Sequence, residues 1–285
     1  MKQANPRACG IERLIFFMTL NAFLFLSSVG YSQIRDSEDE TELYAETKQL
    51  NQFFRRFNGE EDEKGKRYYP QDRQYRSAKL RRQYLGMLFD AANTSINRDL
   101  ASEFIRHITD KDIVLNFHGG QWFSEVNAVF TMNGRDHTIT LFMEIEKHLR
   151  GSRWVISRVY ADMFESYFRR DTTKVGQFLH PLSHELAFMN MRKAFSYQDS
   201  VSQLAVKRFR PDHLSVFLYE VQRGNLKFRS VDGVKFHFFQ IDGWYFELSD
   251  FNREGLNTGW LISNLVKVDS EADKAALRKH LYYEK

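Results

Sequence analysis

The chain has 285 residues, with 41 Lys and Arg against 37 Asp and Glu and a formal charge of +4. That modest excess gives no case for nucleic acid, and this length can bury one large core or two small ones. The only cysteine, Cys9, lies near the N-terminus, so the chain beyond it holds no thiol for disulfides, zinc–cysteine sites, iron–sulfur clusters or thiolate nucleophiles.

The first 32 residues read as a secretory signal. Lys2, Arg7 and Arg13 precede an apolar stretch from Leu14 to Leu26, and small residues follow, ending at Gly30 and Ser32. Charged, then apolar, then small is the order of an export signal, and the apolar stretch is short for a bilayer span. Cleavage is expected between Ser32 and Gln33, giving a periplasmic or secreted protein; an uncleaved anchor is the alternative. Loss of residues 1–32 lowers the formal charge to about +2.

Residues 33–42 are a polar, mostly acidic linker. Leu43, Thr47, Leu50, Phe54 and Phe57 then recur at helical spacing. Gly59, Gly65 and Pro70 punctuate the next stretch. A second helix is expected over about Gln74–Ala92, and a third from Asn97–Asp99 through Leu100, Phe104, Ile105 and Ile108. Beyond it the period falls to two. Ile113, Leu115 and Phe117 alternate with polar neighbours, as do Val126, Ala128, Phe130 and Met132, then Ile139, Leu141, Met143 and Ile145. Short polar turns at Asn133–Asp136 and Leu149–Ser152 join these runs into an antiparallel meander that ends in "RWVISRVYAD" (Arg153–Asp162).

The second half uses the same order. His180–Phe195 reads as a helix with Ser183 as N-cap. Leu214, Phe217, Leu218 and Val221 mark a short helix, a strand begins near Leu226, and "DG" pairs at Asp232–Gly233 and Asp242–Gly243 signal hairpins. The last strand, "GWLISNLVKVD" (Gly259–Asp269), repeats the Trp-x-Ile-Ser of Trp154–Ser157. The expectation is an α+β protein of two tandem units, residues 43–164 and 180–269, each with helices before a curved antiparallel sheet. Residues 165–179 connect them, and a C-terminal helix over 270–285 carries a capping box at Ser270 and Asp273. One larger α+β domain is the alternative.

Helices followed by an antiparallel meander resemble the nuclear-transport-factor-two-like fold, which ketosteroid isomerases share. The resemblance covers about Thr41–Phe164 and His180–Asp269 and is one of element order, without a diagnostic motif. It implies a cone-shaped pocket between sheet and helices, and a sheet face that commonly dimerises. It carries no catalytic residue onto this chain, since such folds serve both enzymes and binding modules.

If that pocket lies on the Trp side of the final strands, period two places Trp154, Arg158 and Tyr160 in it from the first unit, and Trp260 and Asn264 from the second. A buried Arg158 needs a paired anion, either Asp162 or a ligand. His137 and Asp250 sit at strand ends on apolar faces and suit a pocket mouth, where a desolvated group can act as a base. His180 and His184 have the i, i+4 spacing of a metal pair, but Pro181 and Ser183 start the helix too late for that geometry, so no metal or other cofactor is expected. Paired glycines at Gly119–Gly120 lack the helix of a phosphate loop. Lys64–Arg82 holds eight basic residues among tyrosines and offers a surface for an anionic polymer, or simply the solvated face of a helix. The composite expectation is an exported, non-catalytic binding or assembly module. It would use a pocket or exposed sheet face toward a small molecule or an envelope protein, with homodimerisation through that face. A small-molecule enzyme of isomerase, dehydratase or hydrolase type is the alternative.

Overall fold

The structure is a computed structural model that describes residues 50–94, 96–149, 151–167, 195, 205–206, 208–209, 212–253 and 257–284. The signal, the acidic linker, the connecting segment beyond 167 and almost all of the His180–Phe195 helix lie outside them. Among the described residues no helix is long and apolar enough to cross a membrane.

Residues 50–58 are helical, and helices α1 (Ala78–Met87) and α2 (Arg98–Asp110) follow. Asn97 caps α2 by accepting from the Asp99 N–H at 2.9 Å. Three strands come next: β1 (Trp122–Met132), β2 (Arg135–His148) and β3 (Gly151–Tyr160). Asn133 and Gly134 both have positive φ, which closes the β1–β2 hairpin with the right twist. A short helix α3 (Asp162–Tyr167) and helix α4 (His213–Gln222), capped by Asp212, precede β4 (Lys227–Phe238), β5 (Trp244–Phe251) and β6 (Gly259–Lys267). Helix α5 (Glu271–Leu281) ends the order, with Ser270 accepting from the Asp273 N–H at 3.1 Å.

The α+β class is as expected. The sheet is single: six antiparallel strands in the order β3-β2-β1-β4-β5-β6. The two meanders therefore share one sheet, where the sequence suggested a sheet for each. The joint is β1 against β4, paired from Trp122↔Phe238 to Thr131↔Lys227. Both strands carry large residues on both faces, as "WFSEV" and "KFHFF" show, and such strands are stable only in the middle of a sheet.

Two other expectations fail because distant partners decide. Asp232–Gly233 makes no hairpin, because neither residue has positive φ. Asp232 is instead bulged within β4, opposite the Asn127–Ala128 step of β1. Ile113–Phe117 is not a strand. The Asn58 side chain bonds the Leu115 backbone in both directions, at 2.8 and 2.9 Å, and so takes the place of a neighbouring strand.

Helices cover one face of the sheet. Near the start of β1, Phe53, Phe54, Phe57 and Phe104 pack on Trp122, Phe238, Trp244 and Phe246; the Phe238 and Phe246 rings stack at 4.7 Å. Toward its other end, Phe130, Ile139, Leu141 and Val159 meet Phe164 and Phe217 from α3 and α4. Each buried aromatic contributes roughly 1.5–3 kcal/mol relative to exposure. The opposite face carries α5, whose Leu277, Leu281 and adjoining Tyr282 sit on Phe123, Phe142, Phe239 and Tyr245.

The Trp-x-Ile-Ser echo acquires a structural meaning in the outer strands. Trp154 and Trp260 lie in corresponding strands, β3 and β6, at the two ends of the sheet order. In β3 the register jumps so that Ile156 faces Met143 and Arg158 faces Phe142, which leaves Ser157 as a bulge. In β6, Ile262 faces Leu248 and Asn264 faces Glu247, which leaves Ser263 as the bulge. Each bulged serine hydroxyl donates to the neighbouring strand: Ser157 to the Phe142 carbonyl at 3.2 Å, while Ser263 shares its one proton between the Glu247 carbonyl at 3.3 Å and the Glu247 carboxylate at 3.1 Å.

Arg81, fully buried in α1, ties the helical layer together. Its guanidinium donates to the Phe57 carbonyl at 3.4 Å, to Asp112 at 2.9 Å and to the Ile113 carbonyl. Gly59, at φ +72°, makes room for it, since a Cβ there would fall 2.6 Å from the Arg81 Cγ. Arg81→Ala strands two buried carbonyls and opens a void, and is expected to cost about 2–4 kcal/mol. A lowered midpoint of urea unfolding measures that loss.

Candidate functional site

The three strands around the β1·β4 joint alternate aromatic and polar side chains. β4 reads Lys235-Phe-His237-Phe, β5 reads Tyr245-Phe-Glu247-Leu, and β1 places Glu125 between Ser124 and Val126. Period two sends Phe236, Phe238, Phe246 and Leu248 to the helix-covered core. It sends Lys235, His237, Tyr245, Glu247 and Glu125 to the opposite face. There the end of α5 crosses the sheet and leaves a cavity of about 390 Å³. Its lining is Glu125, Tyr160, Lys235, His237 and Glu247 from the sheet, and His280, Leu281, Tyr283 and Glu284 from the C-terminal segment.

His237, only 1% exposed, is held at both nitrogens. Its Nε2 lies 2.9 Å from the Glu125 carboxylate and its Nδ1 lies 2.8 Å from the Tyr245 hydroxyl. An ionised carboxylate only accepts, so Nε2 carries a proton toward Glu125; with the imidazole neutral, Nδ1 then accepts from the Tyr245 hydroxyl. Burial, reinforced by the charges of Glu247 and Glu125, pushes the Tyr245 phenol far above its ordinary range and keeps it protonated. Burial also works against the Glu125 charge, but the hydrogen bond and charge offered by His237, then the charge of Lys235, outweigh it and hold the carboxyl below its ordinary 4.5. The Glu247 carboxylate accepts from Lys235 at 3.2 Å and from the bulged Ser263 at 3.1 Å, and lies 4.0 Å from the His237 Nδ1.

Register gives Glu125 and His237 matching places. Glu125 faces Phe142 across β1·β2, and His237 faces Glu247 across β4·β5, the two residues that receive the bulge serines. Across the joint, Glu125 pairs with Lys235 while His237 pairs with Phe123, on either side of Ser124↔Phe236.

The wall of the cavity is anchored on β3. Arg158 pairs with Glu284 and lies over the Tyr282 ring at 4.5 Å from its centroid, and Tyr160 stacks on Tyr283 at 4.5 Å. The Tyr283 hydroxyl donates to the other Glu125 oxygen at 3.4 Å. The Tyr160 hydroxyl bonds Asp162 at 2.5 Å, which with burial raises its pKa to about 12.

The residues expected from sequence are divided between the two faces. Trp154 and Trp260 are on the helix-covered face, where both pack against Phe236, Trp260 at 4.7 Å. The Ser157 bulge turns Arg158 and Tyr160 away from Trp154, so the assumed single face does not exist; Tyr160 lines the cavity and Arg158 braces its wall. Arg158 is not a buried cation, since 52% of its side chain is exposed. Asn264 is exposed beside Glu247, His137 sits at the far end of β2 opposite Phe130, and Asp250 is exposed at the end of β5; none of the three lines the cavity. Among the basic residues of Lys64–Arg82, Arg81 is core, and Arg76 and Arg82 pair with Glu60 and Asp110. Among the described residues no group of three or more His, Asp or Glu is placed to hold a metal ion.

Sequence reasoning missed Glu125, Lys235, His237, Tyr245, Glu247 and Tyr283. The signal was present as polar residues at period two in otherwise aromatic strands.

Because Glu125 titrates below 4.5 in the folded chain, its ionised form supports the fold above that pH, and the support is lost as pH falls from about 4.5 through the folded value. Urea midpoints from pH 7 to pH 3 are expected to fall less steeply below that point in Glu125→Gln than in the unaltered chain. Equal slopes would remove Glu125 from the acid response.

No family model matches the chain, and no curated protein or solved structure matches it either.

Proposed function

We propose that this chain is a non-catalytic binding module that holds a small polar molecule in the cavity between the β4–β5 face and the end of α5. One observation carries the reading: the two sheet faces are treated oppositely. Aromatic rings fill the face under α1 and α2, whereas the face that carries α5 keeps, beside its own cluster of Phe123, Phe142 and Tyr282, about 390 Å³ lined by carboxylates, an amine, imidazoles and phenols. That volume lies within the range of small-molecule sites. An assembly surface needs no such cavity.

The hydrogen-bonded chain Tyr245–His237–Glu125 favours a second reading, a small-molecule enzyme in which His237 and Glu125 move a proton. The two readings part on turnover. A bound molecule recovered unchanged after prolonged incubation supports the module, and a converted one supports the enzyme.

Two further elements belong to the proposal. The order of charged, apolar and small residues before Gln33 supports export, with the site outside the cytoplasm. The matched bulges at Ser157 and Ser263, and the matched places of Glu125 and His237, support descent of the two halves from one duplicated unit. In this version the units join edge to edge. The likeness to the nuclear-transport-factor-two-like fold remains one of helices followed by a meander.

His280 is exposed, lines the cavity and lies on α5, so His280→Trp should fill the space without disturbing the buried chain. In a thermal-shift screen of small polar compounds, ligands that raise the midpoint by about 2 °C or more are expected to lose that effect in His280→Trp. Unchanged shifts would place binding elsewhere.

A further inference from the structure

Three carboxylates line the cavity, and two have a fixed cation in contact: Glu247 has Lys235 and Glu284 has Arg158. Glu125 has none. It is 6% exposed, and its two oxygens receive hydrogen bonds from His237 and, at a long 3.4 Å, from the Tyr283 hydroxyl. The Asn127 side chain also donates to this carboxylate, and whenever His237 is neutral all of these donors are neutral. A buried charge is stable when paired, so the cavity has a place for a cation beside the Glu125 oxygen that faces Tyr283. The phenol rings of Tyr160 and Tyr283 border the same space, and aromatic rings next to carboxylates favour organic cations over anions. The long Tyr283 bond is also the one a stronger donor can displace.

Resting on the cavity reading above, we infer that the ligand carries a primary ammonium group, which donates to the Glu125 oxygen that faces Tyr283 while its carbon skeleton lies against Tyr283 and Leu281. Lys235 does not fill this role, because its amine is committed to Glu247. The size of the cavity admits a small organic amine.

Three probes of equal chain length test the assignment on the full chain at pH 8, where an alkylamine is still charged. They are n-butylamine, 1-butanol and butyrate, each titrated while NMR signals of Leu281 and Tyr283 are followed. Butylammonium is expected to shift these signals with an affinity about ten-fold above that of butanol, as a charge-assisted hydrogen bond allows. Butyrate is expected to leave them unmoved. In Glu125→Gln the butylammonium affinity should lose its ten-fold advantage over butanol. If butanol or butyrate binds the unaltered chain as well as the amine does, the ammonium assignment is overturned and the cavity reading stands. If none of the three moves the signals, both fall. The comparison among probes needs no variant, so it holds even where Glu125→Gln fails to fold.

Discussion

The β1·β4 ladder is the constraint on which the remaining structure depends. It joins two three-stranded meanders through their first strands, and at the end where the candidate site forms, Trp122–Glu125 against Phe236–Phe238, both strands are buried on both faces. With Ser124 opposite Phe236, the residues from Trp122 to Asn127 find their matches at equal distances, from Phe238 to Gly233, before the Asp232 bulge shifts the register. The ladder thereby brings Glu125 of the first half to His237 of the second, 112 residues away in sequence, within a hydrogen bond. Neither half holds the candidate site by itself. Register, more than any local motif, makes the chemistry.

The bulges complete what the register begins. A strand with uninterrupted alternation would aim Arg158 and Tyr160 at the same core as Trp154. One extra residue at Ser157 reverses the phase, so that β3 anchors the aromatic core with its first part and the wall of the cavity with its last. Ser263 does the same in β6, and its hydroxyl supports Glu247 from below as well as the strand itself. A bulge costs a ladder bond and redirects side chains. Here the serine hydroxyls replace part of what the ladder loses.

Much of the element order was legible in the sequence because it is written locally. Asn97 and Asp212 cap helices whose apolar residues recur at helical spacing, and the Asn133–Gly134 turn is a hairpin signal that the backbone obeys. The misreadings came where distant residues decide. The pair Asp232–Gly233 has the composition of a turn, yet β1 holds β4 extended through it. Ile113–Phe117 alternates like a strand, yet its partner is one asparagine side chain. The site was half legible: Lys235, Glu125, His237 and Glu247 interrupt aromatic strands at period two. Which face would hold a cavity was not, because that depends on where α5 docks and on phase shifts at single serines. Expecting the space under the helices, where Trp154 and Trp260 are, led to the face that aromatic rings fill.

The central position of the joint also has a consequence for how the chain reaches this state. β1 emerges about a hundred residues before β4 does, and the contact between them spans that whole separation. Until β4 arrives, the nascent meander presents an unpaired strand with Trp122, Val126, Ala128 and Phe130 on one face and Phe123 on the other, the kind of edge that invites pairing with another molecule. Synthesis of the second half is therefore the step that ends a period of vulnerability, and holding that early edge apart from its neighbours is a task that falls to the cell before the fold can protect itself.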